Sequence, residues 1–312
     1  MTTIINVDNF ARAESNRMFA ALSRDVGEIN GWKHYREPSP LDHQNVIRLN
    51  RDTLYSVSVV DAREGFTLTL PETDGRYMSA MIVNQDHYIP AVWLGAGQYS
   101  LSREEAGSDF VIIGIRTLVD PSSAEDVAIV NDLQNQLRVD APSATAFDAP
   151  PVDEASLTTT RQALLELAKG LPDYRGSFGA REHVDPVHHL IATASAWGGL
   201  PATEAFYVNV EPGLPAGNYE LTVGDVPVDA FWSISVYNRD GYFEPNDLGV
   251  NNINSVTAAK NDDGSTTVRF GDGDAPNTIP LSEGWNYLVR MYRPRAEVLN
   301  GSWVFPSVES AG

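Results

Sequence analysis

Alternation of polar and apolar residues dominates this chain and predicts mostly β-strands. In Phe231–Asn238, Trp232, Ile234 and Val236 fall on one face, and serines and tyrosine on the other. Similar runs predict a strand in which Tyr55, Val57 and Val59 alternate with serines, and a hairpin-like segment over 66–84. Further strands are predicted over 98–102, 110–119, 205–210, 218–223, 253–260, 266–270 and 286–294. Residues 110–119 are apolar on both faces, which predicts a central strand.

Turn residues complete the strand pattern. Asp74-Gly75 predicts the turn of a hairpin over residues 66–84, and Asp263-Gly264 predicts the bend of a second hairpin before residues 266–270.

Helical periodicity is limited to four segments. The first covers about residues 8–30, with Asp8 as its cap and Gly31 as its end, and the others cover about 122–138, 156–169 and 185–197. Strands and helices do not alternate as they do in parallel βαβ units, so the pattern predicts a β-rich α+β fold.

The expected domain limits follow from this order of elements. We predict an N-terminal domain with a leading helix over 1–145, a linker and helical insert over 146–200, and a C-terminal domain over 201–312. The Pro- and Ala-rich run 139–156 is the expected linker.

One stretch of the chain has an internal counterpart. Phe66–Tyr88 aligns with Tyr219–Tyr242 across one short gap, so that Ser79 matches Ser233 and both segments end in Asn-x-Asp-x-Tyr. A duplicated strand–turn–strand–loop unit explains this match and predicts two tandem β-sandwich-like domains. The alternative is a chance alignment of two alternating strands.

Composition excludes several kinds of partner and chemistry. The 312 residues carry a net charge of −20 with no basic run, so neither nucleic acid nor a membrane is an expected partner. Absence of cysteine excludes thiolate chemistry and Cys-ligated zinc. The N-terminal sequence has no signal-peptide pattern, which favours a cytoplasmic protein.

Several long motifs resemble a known pair of bacterial domains. VIRLNRDTLYS and GRYMSAMIVNQDHY resemble the domain of unknown function numbered 1254, and DPVHHLIATASAWGGLP, PVDAFWSISVYN and GWNYLVRMYRPRAEVLNGSWVFP resemble its usual partner, numbered 1214. The resemblance covers roughly residues 40–120 and 180–310. It implies tandem β-sandwich or jelly-roll-like domains and carries no defined activity.

Two groups of residues are candidates for catalysis. Asp86, His87 and Tyr88 place a carboxylate, an imidazole and a phenol at a strand end, where a general base and its orienting partner can lie. The repeat has Gly241 in place of His87, so the imidazole occurs in one copy.

Asp185 and His189 form the second candidate group, because an i,i+4 spacing suits two metal ligands or a carboxylate that orients an imidazole. Alternatively, Asp185 caps a helix that begins at Pro186, and His189 packs beneath a sheet. No His-Glu-x-x-His motif is present, and we predict no required metal.

Ligand-binding candidates lie in three places. The first is the polar run Arg48, Asn50, Arg51 and Asp52, in which an arginine could grip a carboxylate, or Arg51 and Asp52 could pair structurally. The second and third are the strand ends and faces that carry Tyr237, Asn238, Arg290 and Tyr292, where Arg290 is either a stacked structural cation or a ligand clamp.

These features favour an enzyme that performs hydrolytic or proton-transfer chemistry on a small polar or aromatic molecule in an inter-domain cleft. No nucleotide-binding glycine motif is present, so no cofactor is predicted. The mid-strand serines lack a nucleophile-elbow motif. A non-catalytic small-molecule-binding or assembly protein is the alternative, and a homo-oligomer is left open.

Overall fold

The computed structural model describes residues 2–44 and 47–311. Val46, at the start of the motif before the first long strand, lies outside the described residues. The chain divides into two units, each of which is described by itself. Unit 1 contains Met1–Tyr35, Tyr55–Thr117 and Asn131–Ala202, and unit 2 contains Arg36–Leu54, Leu118–Val130 and Thr203–Gly312.

The described part of the chain forms six α-helices and sixteen strands. The helices are α1 Phe10–Val26, α2 Arg103–Ala106, α3 Ala124–Asn135, α4 Glu154–Ala168, α5 Pro186–Ser195 and α6 Ala296–Leu299. The strands are β1 Lys33–His34, β2 Thr53–Asp61, β3 Phe66–Leu70, β4 Met78–Asn84, β5 Ala91–Leu94, β6 Gly97–Leu101, β7 Phe110–Leu118, β8 Arg138–Asp140, β9 Ala205–Val210, β10 Tyr219–Val223, β11 Trp232–Tyr237, β12 Asn252–Asn254, β13 Thr266–Phe270, β14 Thr278–Ile279, β15 Asn286–Tyr292 and β16 Glu309–Ser310.

Unit 1 contains two sheets with the strand orders β1-β2-β7-β4-β5 and β6-β3-β8. Strand β7 is central, as its apolar sequence predicted. Leu68 of β3, Ile82 of β4 and Ile113 of β7 belong to one buried cluster, so both sheets contribute to the same core.

The predicted hairpin between β3 and β4 is wrong, because these strands lie in different sheets. The turn itself is present, with Asp74 and Gly75 in the left-handed region at φ 52° and 82°. After this turn the chain crosses to the other sheet, so that the apolar faces of both strands can enter the shared core.

Strand β2 reverses the burial that its alternation suggests. Ser56 and Ser58 are buried, whereas Tyr55 and Val57 are half-buried. The hydroxyl of Ser56 lies 2.8 Å from His34 Nδ1 on the neighbouring strand, and this hydrogen bond satisfies a polar group inside the sheet.

Three helices of unit 1 share a second cluster, which includes Phe10 of α1, Leu157 of α4 and Ile191 of α5. Helix α1 is shorter than predicted. It begins after Asn9 and ends at Gly27, whose left-handed conformation (φ 87°) stops the helix before Gly31.

The Pro- and Ala-rich run predicted to be a linker packs against unit 1 through hydrogen bonds and aromatic contacts. The Ser143 hydroxyl and the Thr145 amide both donate to the Asp61 carboxylate, at 2.6 and 2.8 Å. The ring of Phe147 lies 5.5 Å from that of Phe19 and 5.1 Å from that of Phe110. The predicted domain limits themselves stay a prediction.

Unit 2 contains sheets with the orders β12-β11-β15-β9 and β14-β13-β10-β16. Trp232 and Val289 from the first sheet and Leu221 and Val268 from the second belong to one buried cluster. The β13–β14 ladder is parallel, and the other ladders within these two sheets are antiparallel.

The second predicted hairpin is only partly present. The bend at Gly264 closes through a hydrogen bond from Asn261 N to Ser265 O (2.9 Å). Strands β12 and β13 on its two sides, however, belong to different sheets.

The fold is therefore β-rich α+β, as the sequence predicted. None of the helices in residues 2–44 and 47–311 has the length and apolar character that crossing a membrane requires.

Candidate functional site

The two loops that end the sequence repeat have the same hydrogen bonds. In Asn84–Tyr88, Asn84 N donates to Tyr88 O (2.9 Å), and the Asn84 side-chain oxygen accepts from the amides of Asp86 and Tyr88 (both 3.0 Å). In Asn238–Tyr242 the equivalent bonds measure 2.8, 3.0 and 3.0 Å. The asparagine oxygen closes each loop by satisfying amides that have no strand partner.

Strands β4 and β11, which precede these loops, also have equivalent positions in their sheets. In unit 1, Ser79 of β4 lies directly opposite Arg116 of β7. In unit 2, Ser233 of β11 lies directly opposite Arg290 of β15. The aligned serines therefore occur in equivalent strands with an arginine across from each.

His87 is fully buried, and protein groups occupy both of its ring nitrogens. Nε2 accepts from Gly198 N at 2.9 Å, so the ring proton must be on Nδ1, which donates to Thr193 Oγ1 at 2.8 Å. The Thr193 hydroxyl in turn donates to His189 O (2.8 Å). Burial, followed by the neighbouring charge of His189, lowers the pKa of His87 to about 3. This imidazole is neutral at ordinary pH and has no lone pair left for a substrate.

Asp86 does not orient the His87 ring. The Asp86 carboxylate accepts two hydrogen bonds from Arg12, both at 2.5 Å. The Tyr88 ring is stacked on His189 with centroids 4.5 Å apart, and the Arg181 guanidinium lies 5.8 Å from the Tyr88 centroid.

Asp185 and His189 are on α5 but do not interact through their side chains. The exposed Asp185 carboxylate caps the helix by accepting from Val187 N and His188 N (2.8 and 3.0 Å), and these backbone bonds lower its pKa. The buried His189 ring places its two nitrogens 3.1 Å from Ser177 O and 3.0 Å from Asp86 O. The carboxylate-oriented imidazole is therefore wrong, and the capping alternative is correct.

Within residues 2–44 and 47–311, no three His, Asp or Glu side chains form a group that could hold a metal ion. The catalytic roles of the residues from Asp86 to Tyr88 and of Asp185 and His189 stay predictions that this geometry does not support.

Arg290 is the centre of a buried polar cluster in unit 2. Its Nη1 donates to Ser235 Oγ (2.8 Å), and its Nη2 lies 2.7 Å from Tyr237 Oη and 2.9 and 3.0 Å from the carbonyls of Arg48 and Leu49. The Tyr237 hydroxyl donates to Leu49 O at 2.7 Å. Arg290 thus joins two neighbouring strands to the loop 48–52.

Asp52 supplies the negative charge of this cluster, although it is not exposed to solvent at all. Its carboxylate accepts from Ser233 Oγ (2.5 Å) and Asn252 Nδ2 (2.7 Å). Burial raises the pKa of Asp52, and the charge of Arg290 and these two hydrogen bonds oppose that effect. The predicted alternative of an Arg51–Asp52 pair is wrong, because Asp52 is turned toward β11 and β12.

The surroundings of Arg290 determine whether its guanidinium is ionised. Burial acts to lower the pKa of Arg290, but its interactions with Tyr237, Tyr292 and Asp52 raise it by more, so its guanidinium stays ionised. Burial raises the pKa of Tyr237, which keeps the phenol protonated. A buried cation and a buried carboxylate thus compensate each other within one hydrogen-bonded cluster.

The loop 48–52 is held by this cluster at nearly every residue. Asn50 Nδ2 donates to the Tyr292 hydroxyl (3.0 Å), and its side-chain oxygen accepts from Asp52 N (2.9 Å). Arg48 donates to Asn209 Oδ1 and forms an ion pair with Glu211 at 3.3 Å.

Arg51 differs from its neighbours in the same loop. Its side chain is half-buried, and burial lowers its pKa. One guanidinium nitrogen donates to the carbonyl of Ser39. Among the described residues, no carboxylate forms an ion pair with it.

The structure therefore brings six of the eight predicted ligand-binding residues together in unit 2, namely Arg48, Asn50, Asp52, Tyr237, Arg290 and Tyr292. Arg51 belongs to the same loop but points elsewhere. Asn238 closes its own loop and donates from Nδ2 to Glu244 at 3.0 Å.

Sequence reasoning missed the partners of these residues. Thr193 and Gly198, which hold His87, have no local signature. Arg116 did have one, because carrying the repeat forward from Ser79 and Ser233 aligns Ile-Arg-Thr of β7 with Val-Arg-Met of β15.

Comparisons with known proteins find two family models that match parts of the chain, and both describe proteins of unknown function. A family model described as Protein of unknown function (DUF1254) matches residues 29–87, and one described as Protein of unknown function (DUF1214) matches residues 211–296. No curated protein matches the chain.

Two solved structures are similar in fold. The VPA0106 protein from Vibrio parahaemolyticus has a TM-score of 0.76 at 18% identity, over 98% of both chains. An uncharacterized protein from Burkholderia cenocepacia has a TM-score of 0.51 at 16% identity, over 96% of this chain and 87% of that one. The matched models confirm the resemblance that the sequence motifs indicated: in this chain a match to DUF1254 is followed by a match to DUF1214, and both are families of unknown function.

Proposed function

We propose that this protein binds a small anionic molecule through Arg51, and that binding, not catalysis, is the function of this site. The observation that carries the proposal is the half-buried Arg51 guanidinium, which has one carbonyl partner and no carboxylate partner among the described residues. A guanidinium has five N–H donors in a planar arrangement that matches a carboxylate or a phosphate.

Charge composition strengthens this argument. The chain has 42 acidic side chains against 22 lysines and arginines, so a carboxylate partner for any arginine is easily supplied. Arg48 has such a partner in Glu211, three positions from Arg51 in the same loop. A half-buried cation without a counter-charge costs some stability, so a ligand that brings the negative charge would recover that cost.

The rigidity of the loop also favours binding. Asn50 and Asp52 on either side of Arg51 are fixed by hydrogen bonds to β11, β12 and β15. A ligand-binding side chain held by such a supporting network loses little conformational freedom on binding.

An enzymatic function stays a prediction. Proton transfer by histidine would need a ring nitrogen that is open to a substrate, and both nitrogens of His87 and of His189 have protein partners. This arrangement favours the binding protein that the sequence left as its alternative.

The test is a calorimetric titration of the full chain with acetate, succinate, benzoate and inorganic phosphate. We expect at least one of these anions to bind, and Arg51→Gln to weaken that binding by about ten- to hundredfold, as loss of hydrogen bonds to a charged group does. Arg48→Gln is the matched control and should change binding by no more than about threefold, since its exposed ion pair contributes little.

Equal losses in the two variants, or no binding of any of the four anions to the wild-type chain, would overturn the proposal.

We also propose that each unit is a β-sandwich and that the two arose by duplication. Support comes from the buried cluster shared by the two sheets of each unit, and from the matching loops and serine–arginine pairs. The jelly-roll alternative differs in how the strands connect between sheets. An experimental structure whose two halves place Ser79 and Ser233 on different strands would contradict the duplication.

A further inference from the structure

A surface cleft of about 470 Å³ lies in unit 2. Residues of 224–228, which follow β10, line one part of it, and residues of 255–265, which precede β13, line another. Trp232, at the start of β11, also lines it. Small-molecule sites in proteins have volumes of roughly 300–1,000 Å³, so this cleft is large enough for a ligand.

Opposite charges line this cleft without pairing. Lys260 donates from Nζ to Thr266 Oγ1 at 2.9 Å, which uses one of its N–H donors. Among the described residues, neither Asp225 nor Asp263 forms an ion pair with it, although both line the cleft. One Asp263 oxygen accepts from the amide and the hydroxyl of Ser265, at 2.9 and 2.6 Å. The cation and the Asp225 carboxylate therefore have room for a ligand between them.

The indole of Trp232 adds a hydrogen-bond donor. Trp232 is only 4% exposed, so the face of its ring is not available for stacking on a ligand. Its Nε1–H has no hydrogen-bond partner among the described residues, yet it is not one of their fully enclosed unpartnered atoms, which include Trp32 Nε1. A buried indole N–H normally has a partner, and this one keeps access to solvent, so a ligand oxygen can supply it.

Together these groups have the donors and acceptors that a zwitterion needs. The Ser255 hydroxyl lines the cleft, accepts from Trp232 N at 3.2 Å and keeps its own O–H for a ligand. With the Lys260 ammonium group and the indole N–H, it can surround a carboxylate. Asp225 supplies an acceptor for an ammonium group. A purely anionic ligand would instead be repelled by the carboxylates of the cleft.

We propose that unit 2 binds a free aliphatic α-amino acid in this cleft. The carboxylate of the amino acid accepts from Lys260 and from the Trp232 indole, and its ammonium group donates to Asp225. Its side chain lies against Val226 and Val228, which supply apolar surface to the cleft.

This site is separate from the one at Arg51. Trp232 belongs to the core cluster of unit 2, whereas its neighbour Ser233 lies on the opposite face of β11 and donates to Asp52 of the loop 48–52. Substitution of Arg51 should therefore leave the cleft unchanged, and the two proposals can fail independently.

The probe is L-leucine, titrated into the full chain and followed by calorimetry and by the NMR resonance of the Trp232 indole N–H. Isocaproate, which is leucine without its ammonium group, and isoamylamine, which is leucine without its carboxylate, are the control molecules. L-Leucine should bind and shift the Trp232 resonance. Each control should bind in the cleft at least about tenfold more weakly, because it lacks one charge-assisted hydrogen bond. Isocaproate bound at Arg51 would leave the Trp232 resonance unmoved.

Two variants separate the charges of the ligand. Asp225→Asn should weaken leucine binding about tenfold and leave isocaproate binding unchanged, and Lys260→Gln should weaken leucine binding about tenfold and leave isoamylamine binding unchanged. The matched controls are Asp262→Asn and Lys169→Gln, because both side chains are exposed and neither lines the cleft. Each control variant should change leucine binding by no more than about threefold.

No leucine binding to the wild-type chain, an unmoved Trp232 resonance, or equal losses in Asp225→Asn and Asp262→Asn would overturn the proposal. Isocaproate that binds in the cleft as tightly as leucine would overturn it as well, since the ammonium group would then not be recognised. Asp225 and Lys260 are exposed, so both variants should keep the wild-type melting temperature. Loss of leucine binding in Arg51→Gln would assign the leucine to that other site and count against this proposal alone.

Discussion

The loops Asn84–Tyr88 and Asn238–Tyr242 share one hydrogen-bonding scheme but use their fourth residue differently. In unit 2 that residue is Gly241, with φ 86°. Its carbonyl accepts from Arg48 N at 2.8 Å, and a Cβ on it would lie 3.2 Å from Ile47 Cβ. The covering segment of unit 2 therefore packs directly against the loop backbone, which favours glycine.

In unit 1 the fourth residue is His87, with φ 65°, a left-handed conformation that non-glycine residues adopt rarely. Its ring extends to Thr193 and to Gly198 N and so attaches the covering segment of this unit through a side chain. The same turn thus permits either close backbone packing or a long-range side-chain bond.

The strands that precede these loops also differ, in whether their equivalent serines have hydrogen-bond partners. In unit 2 the Ser233 hydroxyl donates to the Asp52 carboxylate, whose charge also balances that of Arg290. In unit 1 the serine hydroxyl has no partner among the described residues. Equivalent positions therefore hold a satisfied polar cluster in unit 2 and an unsatisfied serine hydroxyl in unit 1.

Removal of the two arginines should have the largest effect on stability. Arg290→Met should lower the free energy of unfolding by about 3–5 kcal/mol, because it leaves the Asp52 carboxylate buried without a counter-charge. Arg116→Met should cost clearly less, since Arg116 is half-buried whereas Arg290 is buried. Urea unfolding of both variants measures the difference, and equal losses would show that the two arginines have equivalent roles.

Ser233→Ala and Ser79→Ala each remove one hydroxyl and should differ in their effect on stability. Ser233→Ala should destabilise the protein by about 1.5–3 kcal/mol, because it removes a hydrogen bond to a charged group. Ser79→Ala should cause no loss, or a small gain, since its hydroxyl has no described partner. Thermal and urea unfolding of the pair provides the measurement. A loss of stability in Ser79→Ala would mean that its hydroxyl is bonded in solution.

Substitution of Gly241 tests whether its left-handed conformation and its close packing contribute to stability. Gly241→Ala should cost about 1–2 kcal/mol from its left-handed conformation alone, with a further loss from the contact with Ile47. Gly75→Ala is the matched control, because Gly75 has φ 82° and no atom within 4 Å of a Cβ. If both variants unfold at the same urea concentration, the close approach of Ile47 has no energetic weight.

The dependence of stability on pH tests whether the buried His87 is neutral. Burial lowers the pKa of His87 from 6.5 to about 3, so the unfolded chain takes up a proton between these values and the folded chain does not. The stability from neutral His87 is complete above pH 6.5 and is lost as pH falls toward 3, at no more than about 1.4 kcal/mol per pH unit.

His87→Gln removes this titration, so the wild-type advantage over the variant should shrink as the pH is lowered from 6.5 to 3. Equilibrium unfolding at a series of pH values gives this difference directly. A constant difference over that range would contradict a neutral, buried His87.

The sequence alone determined the features that depend on neighbours a few residues apart. Alternation in β11 and β15 separates Trp232 and Val289, which enter the core, from Ser233 and Arg290 on the other face. Asp185 and Pro186 mark the start of α5, and the Asn-x-Asp-x-Tyr endings mark two loops with identical bonds. Each of these follows from side-chain direction or from bonds within a turn, which a short window of sequence contains.

Only the tertiary structure decided which of these polar groups are already satisfied. Ser233 meets Asp52 across 181 positions of sequence, and His87 meets Thr193 across 106. It also placed β3 and β4 in different sheets although a good turn joins them, because both apolar faces enter one core. Side-chain alternation fixes the face that a residue occupies, but its partner comes from whichever distant segment covers that face.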